Sequence, residues 1–393
     1  MIKVLHIMPS YLPAHGFGGS VKTVHELCRA LARKYIDVNV FTTNISLENR
    51  KEIYLNKPQY KEGLKVTYYP VSFPKTFSYS PLFADALEKN IRRFDIVHIH
   101  SVYRYTTLIG CAACRKYNKP YILNPFGALD PAMIRLKSRF KKLAYIKLFE
   151  KRNITNAAAI HVASDKEKED IASLGFTNRV EIIPPALDLE DYPKLEDARM
   201  LLGSKFPALK GKKVILFMGR IHPKKGLDIL AGAFKYICDK RPDAHLLIAG
   251  SGDVEYENKV KLLFKKKGLE GRIIFAGMLL GREKLSALHG SDVFTLPSYG
   301  ENFGIAALES MACALPVVIT NYVALAPEVK RYSAGFVTGC NPGEVAMAIL
   351  KLLDDEALRK TMGTNGRGLA EEKFTNDEAA NAVIKIYKDI LRS

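Results

Sequence analysis

The stretch Pro297-Ser298-Tyr299-Gly300-Glu301-Asn302-Phe303-Gly304-Ile305-Ala306-Ala307-Leu308-Glu309 sets two glutamates eight positions apart. The first stands at a Gly-containing turn and the second in an apolar helical run. Just ahead, Asp292-Val293-Phe294-Thr295-Leu296 reads as a short buried strand flanked by polar residues. Glu301 is therefore expected on a loop at the carboxyl end of a parallel strand, and Glu309 inside the helix that follows. Open α/β sheets bind ligands at that edge.

Outward from this stretch, short apolar segments at 1–7, 38–42, 95–100, 121–124, 160–163, 180–183, 214–218, 245–249, 273–276 and 316–320 alternate with helical patterns. The alternation predicts an α/β fold, with parallel sheets covered by helices on both faces. A length of 393 residues suits two domains of ordinary size. The domains are set at 1–190 and 191–375, with the second sheet beginning at Val214 after a polar stretch, 203–211, that holds Pro207. A final helix falls within 376–393.

The Glu-x7-Glu spacing after Pro-Ser, followed by Met311-Ala312-Cys313-Ala314-Leu315-Pro316-Val317-Val318, resembles the signature of retaining glycosyltransferases of the GT-B fold, family 4 (glycosyltransferase group 1). The resemblance spans nearly the whole chain and is more specific in its second half. It implies two Rossmann-like domains facing each other across a cleft, the first taking the acceptor and the second the nucleotide-sugar. The last helix would cross back to the first domain. It also implies that Glu301 faces the donor sugar and its anomeric carbon, and that Glu309 hydrogen-bonds the ribose hydroxyls. The N–H groups of Asn302, Phe303 and Gly304 would lie at the helix start, where donors point at anions and hydroxyls. A hydrolytic dyad is disfavoured. Eight helical residues put the backbones ~12 Å apart, whereas glycosidase carboxylates work at roughly 5–9.5 Å.

Phe217-Met218-Gly219-Arg220-Ile221-His222-Pro223-Lys224-Lys225-Gly226 follows a strand and precedes a helix, and it resembles the family's Gly-Arg-x4-Lys-Gly motif. Arg220 can fork onto phosphate oxygens and Lys225 can add a point charge. Both would offset the charge of a departing nucleoside diphosphate. No two aspartates are separated by one residue, so a metal-free mechanism is expected, with no metal and no cofactor beyond the nucleotide-sugar co-substrate. Gly16-Phe17-Gly18-Gly19-Ser20 lies between the first strand and a helix. Adjacent glycines let a backbone approach a ligand, and the family places Gly18 and Gly19 over the donor phosphate. Val21 stands where a dinucleotide-binding fingerprint needs its third glycine.

Asp95-Ile96-Val97-His98-Ile99-His100 is a strand ending in a histidine. Alternation sends both histidines to one face. His100, at the carboxyl edge, matches the family's contact to the donor sugar or phosphate and could contribute to catalysis, while His98 reads as structural. Asn124-Pro125-Phe126-Gly127-Ala128-Leu129-Asp130-Pro131 resembles the acceptor-side loop. Residues 135–152 hold eight basic residues and one acidic residue interleaved with apolar ones. Such an amphipathic helix can lie on an anionic membrane and meet lipid-linked acceptors there. A solvated basic face on a packed helix remains the alternative.

The formal charge of +18 calls for an anionic partner or simply a lysine-rich surface. No nucleic-acid-binding module accompanies it, so nucleic acid is not expected as a partner. No apolar stretch reaches the ~18 residues that span a bilayer, and the first residues lack the pattern of a signal peptide. A cytoplasmic protein is expected, peripheral on the inner face of the membrane if the basic helix binds lipid. The six cysteines read as reduced core residues, and the lone Cys111-x-x-Cys114 has no second pair to complete a zinc site.

These readings point to a retaining hexosyltransferase. It would move a sugar from a UDP- or GDP-sugar to a hydroxyl of a glycan or lipid-linked acceptor, in surface polysaccharide or glycolipid biosynthesis. A nucleotide-sugar epimerase on the same scaffold is the rival. The chain departs from the family at Pro184-Pro185-Ala186-Leu187-Asp188, at Ala314 and at Val323-Ala324, which weakens any transfer of base or sugar preference.

Overall fold

The computed structural model describes residues 1–14, 19–45, 47, 53–131, 134 and 144–392. The chain forms two compact units. One joins Met1–Ala186 to Asn376–Ser393, and the other is Leu187–Thr375.

The first unit is built on eight strands: β1 (Lys3–Ile7), β2 (Asp37–Thr43), β3 (Pro58–Lys61), β4 (Leu64–Tyr69), β5 (Ile96–His100), β6 (Tyr121–Asn124), β7 (Ala159–Val162) and β8 (Val180–Ile182). Their order is β3-β4-β2-β1-β5-β6-β7-β8. All neighbours are parallel except β3 and β4. That antiparallel edge corrects the purely parallel expectation. Tyr60 pairs with Lys65 and Lys61 with Leu64, leaving Glu62-Gly63 as a two-residue turn. Both turn residues have positive φ, +52° and +77°, as hairpin turns of matching twist require. Residues 58–61 are mostly polar and carry no apolar periodicity, whereas Leu64-Lys65-Val66-Thr67-Tyr68 of β4 alternates and was missed.

Alternation along each strand builds two cores. Val4, Val38, Val40, Ile96, Ile122 and Ala159 pack under the helices Gly19–Arg33 and Asn376–Arg392. Leu5, Ile7, Val97, Ile99, Leu123 and Ile160 pack on the other face, with Phe83, Leu87 and Cys111 from the helices Pro81–Asn90 and Tyr105–Lys116. Cys111 and Cys114 are both buried and free, and burial pushes both thiols up. That environment suppresses thiolate chemistry. The last helix is amphipathic. It seats Ala380, Val383, Ile386 and Tyr387 in the first core. Asn376 Nδ2 donates to Glu26 at 3.2 Å, and Arg179 pairs with Asp389 at 3.1 Å.

The second unit has six parallel strands: β9 (Lys213–Met218), β10 (Ala244–Ala249), β11 (Ile273–Gly277), β12 (Val293–Leu296), β13 (Val317–Thr320) and β14 (Gly335–Thr338). Their order is β11-β10-β9-β12-β13-β14. The short strand β14 was not expected from the sequence. Residues 203–211 are not an irregular linker. They hold the end of the helix Ala198–Lys205 and a 3₁₀ turn, Pro207–Leu209, both within this unit. Arg199 fixes that helix by donating to Asp292 and to the carbonyls of Gly290 and Lys212.

The strand order in each unit runs one way and then reverses. The reversal falls between β1 and β5 in the first unit and between β9 and β12 in the second. Doubly wound sheets open a crevice at the carboxyl ends of such a pair. Among the described residues no helix is long and apolar enough to cross a membrane.

Candidate functional site

In the second unit, the two loops at the reversal carry the Gly-Arg-x4-Lys-Gly and Glu-x7-Glu segments. After β9 the chain passes Gly219 and Arg220, makes a 3₁₀ turn at Pro223–Lys225, and enters the helix Leu227–Lys240 through Gly226. Arg220 is exposed. Gly226 has φ +65°, and a Cβ there would lie 1.9 Å from the Pro297 carbonyl oxygen. Only glycine allows the two loops to meet this closely. Tyr299 N donates to the Lys224 carbonyl at 2.8 Å, and Tyr299 Oη donates to Asp228 at 2.6 Å. That bond, with burial second, pushes the Tyr299 phenol up to about 12. Lys225 Nζ forms an ion pair with Glu301 Oε2, both side chains about one-fifth exposed.

Glu301 is held by backbone on its other side. Its N–H donates to the Tyr322 carbonyl at 3.0 Å, and its carbonyl accepts from Ala324 N at 3.2 Å. The departing pair Val323-Ala324 therefore buttresses Glu301 directly. Asn302 and Phe303 continue the loop, and Gly304 caps the helix Ile305–Ala312 at φ +99°. The Phe303 side chain is buried edge-on to Phe374, with ring centroids 5.4 Å apart, so only its backbone faces the turn. Ser298 Oγ is buried with no hydrogen-bond partner among the described residues. Such a hydroxyl costs about 1–3 kcal/mol until something satisfies it.

Glu309 sits one turn into that helix and is 6% exposed. Its Oε1 accepts from Tyr192 Oη at 2.7 Å and pairs with Lys284 Nζ at 2.6 Å. Burial, and then the Glu309 carboxylate, hold the Tyr192 phenol well above its ordinary value, so it stays a donor. Neither Tyr192 nor Lys284 was assigned from the sequence. They lie 117 and 25 positions from Glu309 (309 − 192; 309 − 284), and no local pattern links them. A third glycine loop closes the edge. Gly250 has φ +140°, and a Cβ there would lie 1.9 Å from the Gly219 carbonyl oxygen.

In the first unit, His100 ends β5 at the reversal beside β1. His6 and His98 are in register across β1 and β5. His6, His98 and His100 are fully buried on the face that Tyr387 covers. His6 Nδ1 lies 2.9 Å from His100 Nε2, His98 Nδ1 lies 2.8 Å from Tyr387 Oη, and His98 Nε2 lies 3.3 Å from His161 Nδ1. Burial, then neighbouring rings, lowers His6, His98 and His100. His6 is pulled to about 3, and His98 and His100 fall well below the ordinary value. Burial alone pulls His161 to about 4. One ring nitrogen from each of His6, His98 and His100 lies within 4.8 Å of the other two. Both nitrogens of His6 and of His98 are already hydrogen-bonded, so a metal would have to displace existing bonds.

Gly19 opens the helix Gly19–Arg33, its carbonyl accepting from Thr23 Oγ1 at 3.0 Å. Gly18 lies outside the described residues. So do residues 135–143 of the basic segment. Its remainder is helical, with a π turn at Ile146–Glu150 that exposes Leu148 and Phe149. Glu150, its one acidic residue, turns inward and accepts from Tyr103 N at 2.7 Å and Asn153 Nδ2 at 3.1 Å.

Comparison with known proteins agrees with this geometry. Residues 17–191 match the family described as Glycosyltransferase Family 4, and residues 204–369 match Glycosyl transferases group 1. The chain is similar to an uncharacterized glycosyltransferase of Methanocaldococcus jannaschii, 26% identical over 96% of this chain and 95% of that one. It is similar to a D-inositol 3-phosphate glycosyltransferase of Xylanimonas cellulosilytica, 25% identical over 98% and 94%. Among solved structures it resembles a sucrose-phosphate synthase from Thermosynechococcus elongatus, with TM-score 0.83, 22% identity and full coverage of both chains. It also resembles an Anabaena protein solved with UDP and glucose, with TM-score 0.79, 18% identity and coverage of 99% and 100%. Two family matches in tandem, on two parallel-sheet units of this topology, place the chain among the group 1 glycosyltransferases of family 4 type, with the GT-B fold.

Proposed function

We propose that the protein transfers a hexosyl group, with retention at the anomeric carbon and without a metal, from a UDP- or GDP-sugar to a hydroxyl of a glycan or lipid-linked acceptor. The observation that carries this reading is the Lys225–Glu301 ion pair between two glycine-shaped loops at the strand reversal of the second unit, with Glu309 one turn into the helix that follows. Arg220 and Lys225 would neutralise the leaving diphosphate. Glu309, oriented by Tyr192 and Lys284, would bind the ribose hydroxyls. The N–H groups of Asn302, Phe303 and Gly304 would face the sugar-phosphate. Glu301 would meet the transferred sugar. In the first unit, taken by itself, His100 and Gly18-Gly19 would make sugar or phosphate contacts.

Support for a nucleotide-sugar donor comes from the Anabaena neighbour, which was solved with UDP and with UDP-glucose. The epimerase alternative finds no support among these relatives. The test is incubation with UDP-glucose, UDP-galactose, UDP-N-acetylhexosamine and GDP-mannose in EDTA, with and without a glycan acceptor. Acceptor-dependent release of one nucleoside diphosphate, with the product anomer matching the donor by NMR, is expected. Conversion of the donor sugar without acceptor would overturn the transferase assignment.

A further inference from the structure

The histidines of the first unit form one continuous chain of hydrogen bonds whose direction can be read from its far end. His161 Nε2 lies 2.9 Å from the Ile183 carbonyl oxygen. A carbonyl only accepts, so that nitrogen carries the proton. An independent contact agrees. Asn124 Oδ1 accepts from Phe126 N at 3.0 Å, which turns its Nδ2 donor toward His161 Nδ1 at 3.2 Å. His161 Nδ1 is therefore a bare acceptor.

His98 Nε2 also faces that nitrogen, at 3.3 Å; it carries a proton that shares the one lone pair with Asn124 Nδ2, because a bare His98 Nε2 would set two lone pairs against each other. His98 Nδ1 then accepts from Tyr387 Oη at 2.8 Å. The Tyr387 oxygen, its proton committed, accepts from His6 Nε2 at 3.4 Å. His6 Nδ1 in turn accepts from His100 Nε2 at 2.9 Å. One ring nitrogen remains. His100 Nδ1 is buried with no partner among the described residues.

We propose that His161, His98, Tyr387 and His6 are a one-way relay of positioning residues that fixes His100 as its Nε2–H tautomer and presents Nδ1 as a bare lone pair to a hydroxyl of the sugar substrate. A neutral acceptor nitrogen attracts an O–H and repels a phosphate oxygen, so the relay selects sugar over phosphate at this position. Lowered basicity keeps every ring neutral and the relay intact at physiological pH. The helix Asn376–Arg392 thus supplies Tyr387 as the central link. The hydroxyl assignment rests on the transferase reading, whereas the tautomer does not.

The test is long-range proton–nitrogen NMR on the full chain labelled with nitrogen-15 histidine, as wild type and as Tyr387→Phe. In the wild type, Nε2 of all four rings should resonate as protonated nitrogen and Nδ1 as unprotonated. In Tyr387→Phe, His6 loses its acceptor and can move its proton to Nδ1, forcing the His100 proton onto Nδ1. His6 and His100 should then show mixed tautomers, while His161 stays fixed by Asn124 and Ile183. A wild-type His100 protonated on Nδ1, or a His100 signal unmoved by Tyr387→Phe, would overturn the relay. The wild-type spectrum decides even if the variant fails to fold. A companion titration separates the two layers. Tyr387→Phe should lower kcat/KM for the nucleotide-sugar about tenfold or more, as loss of a ring-orienting partner does, with affinity for the sugar-free diphosphate unchanged. Shifted tautomers with unchanged kcat/KM would refute the hydroxyl contact and leave the relay standing.

Discussion

Lys225 and Glu301 form an ion pair across the strand reversal of the second unit, joining the loop after β9 to the loop after β12. The pair couples the cation proposed to face the leaving diphosphate to the carboxylate proposed to face the sugar. Each group holds the other in place and each is only partly desolvated.

Lys225→Ala should therefore separate activity from stability. Partly exposed ion pairs contribute little, and about 1 kcal/mol or less is expected in an unfolding midpoint. Loss of a preorganised charge at the leaving group should lower kcat by about 10²–10³. A variant that folds normally and retains full turnover would remove Lys225 from the mechanism.

Gly226→Ala tests the loop junction itself. The added methyl meets the Pro297 carbonyl in a left-handed backbone. Left-handed strain costs roughly 1–2 kcal/mol, and overpacking adds about 1–3 kcal/mol. A destabilisation of about 2–5 kcal/mol by denaturant titration is expected, together with weakened diphosphate binding. A neutral change would mean the loops do not meet as described.

Tyr192 and Lys284 should differ in kind. Tyr192→Phe leaves the Lys284–Glu309 pair in place and should weaken nucleotide affinity by roughly ten- to a hundredfold, the value of one charge-assisted bond. Lys284→Met strands a buried carboxylate and should cost about 3–5 kcal/mol of stability. Calorimetric binding and thermal unfolding of both variants would separate the two, and equal effects on stability would contradict the geometry.

The buried histidines predict acid sensitivity. Their folded values are depressed, to about 3 for His6 and about 4 for His161, while an unfolded histidine titrates near 6.5. Between about pH 6.5 and 4 the unfolded chain binds more protons, so stability falls as pH falls through that window. Each neutral ring contributes about 1.4 kcal/mol per pH unit. Unfolding midpoints at pH 7, 6 and 5 should drop steeply, and His161→Gln, which can still donate to the Ile183 carbonyl, should reduce the slope by about one proton. An unchanged slope would show that His161 is charged in the fold.

The α/β class was legible because buried parallel strands read as short apolar runs, and β12 with its helix carried both alternation and a functional spacing. The edge strand β3 was not legible, since residues 58–61 are mostly polar and solvated, and the alternating run Leu64–Tyr69 of β4, although buried, was passed over. The candidate site was legible where the motif residues are close in sequence, as at Gly219–Gly226 and Pro297–Glu309. Tyr192, Lys284 and Tyr387 were missed because they reach their partners only through tertiary packing, from 25 to 381 positions away. His98 was read as structural from its strand position, and its place in a directional chain emerges only from distances. Ala314, one of the departures from the family pattern, occupies a left-handed φ of +54°, a region that glycine adopts most readily.

The central claim is a nucleotide-sugar site on the second unit, and thermal unfolding with UDP and GDP in EDTA tests it most directly. A diphosphate at a hundred times its Kd should stabilise the folded protein by about 2.7 kcal/mol. The account predicts a raised Tm with one of the two diphosphates, insensitive to EDTA and largely lost in Glu309→Ala. No shift with either diphosphate, or a shift undiminished in Glu309→Ala, would contradict it.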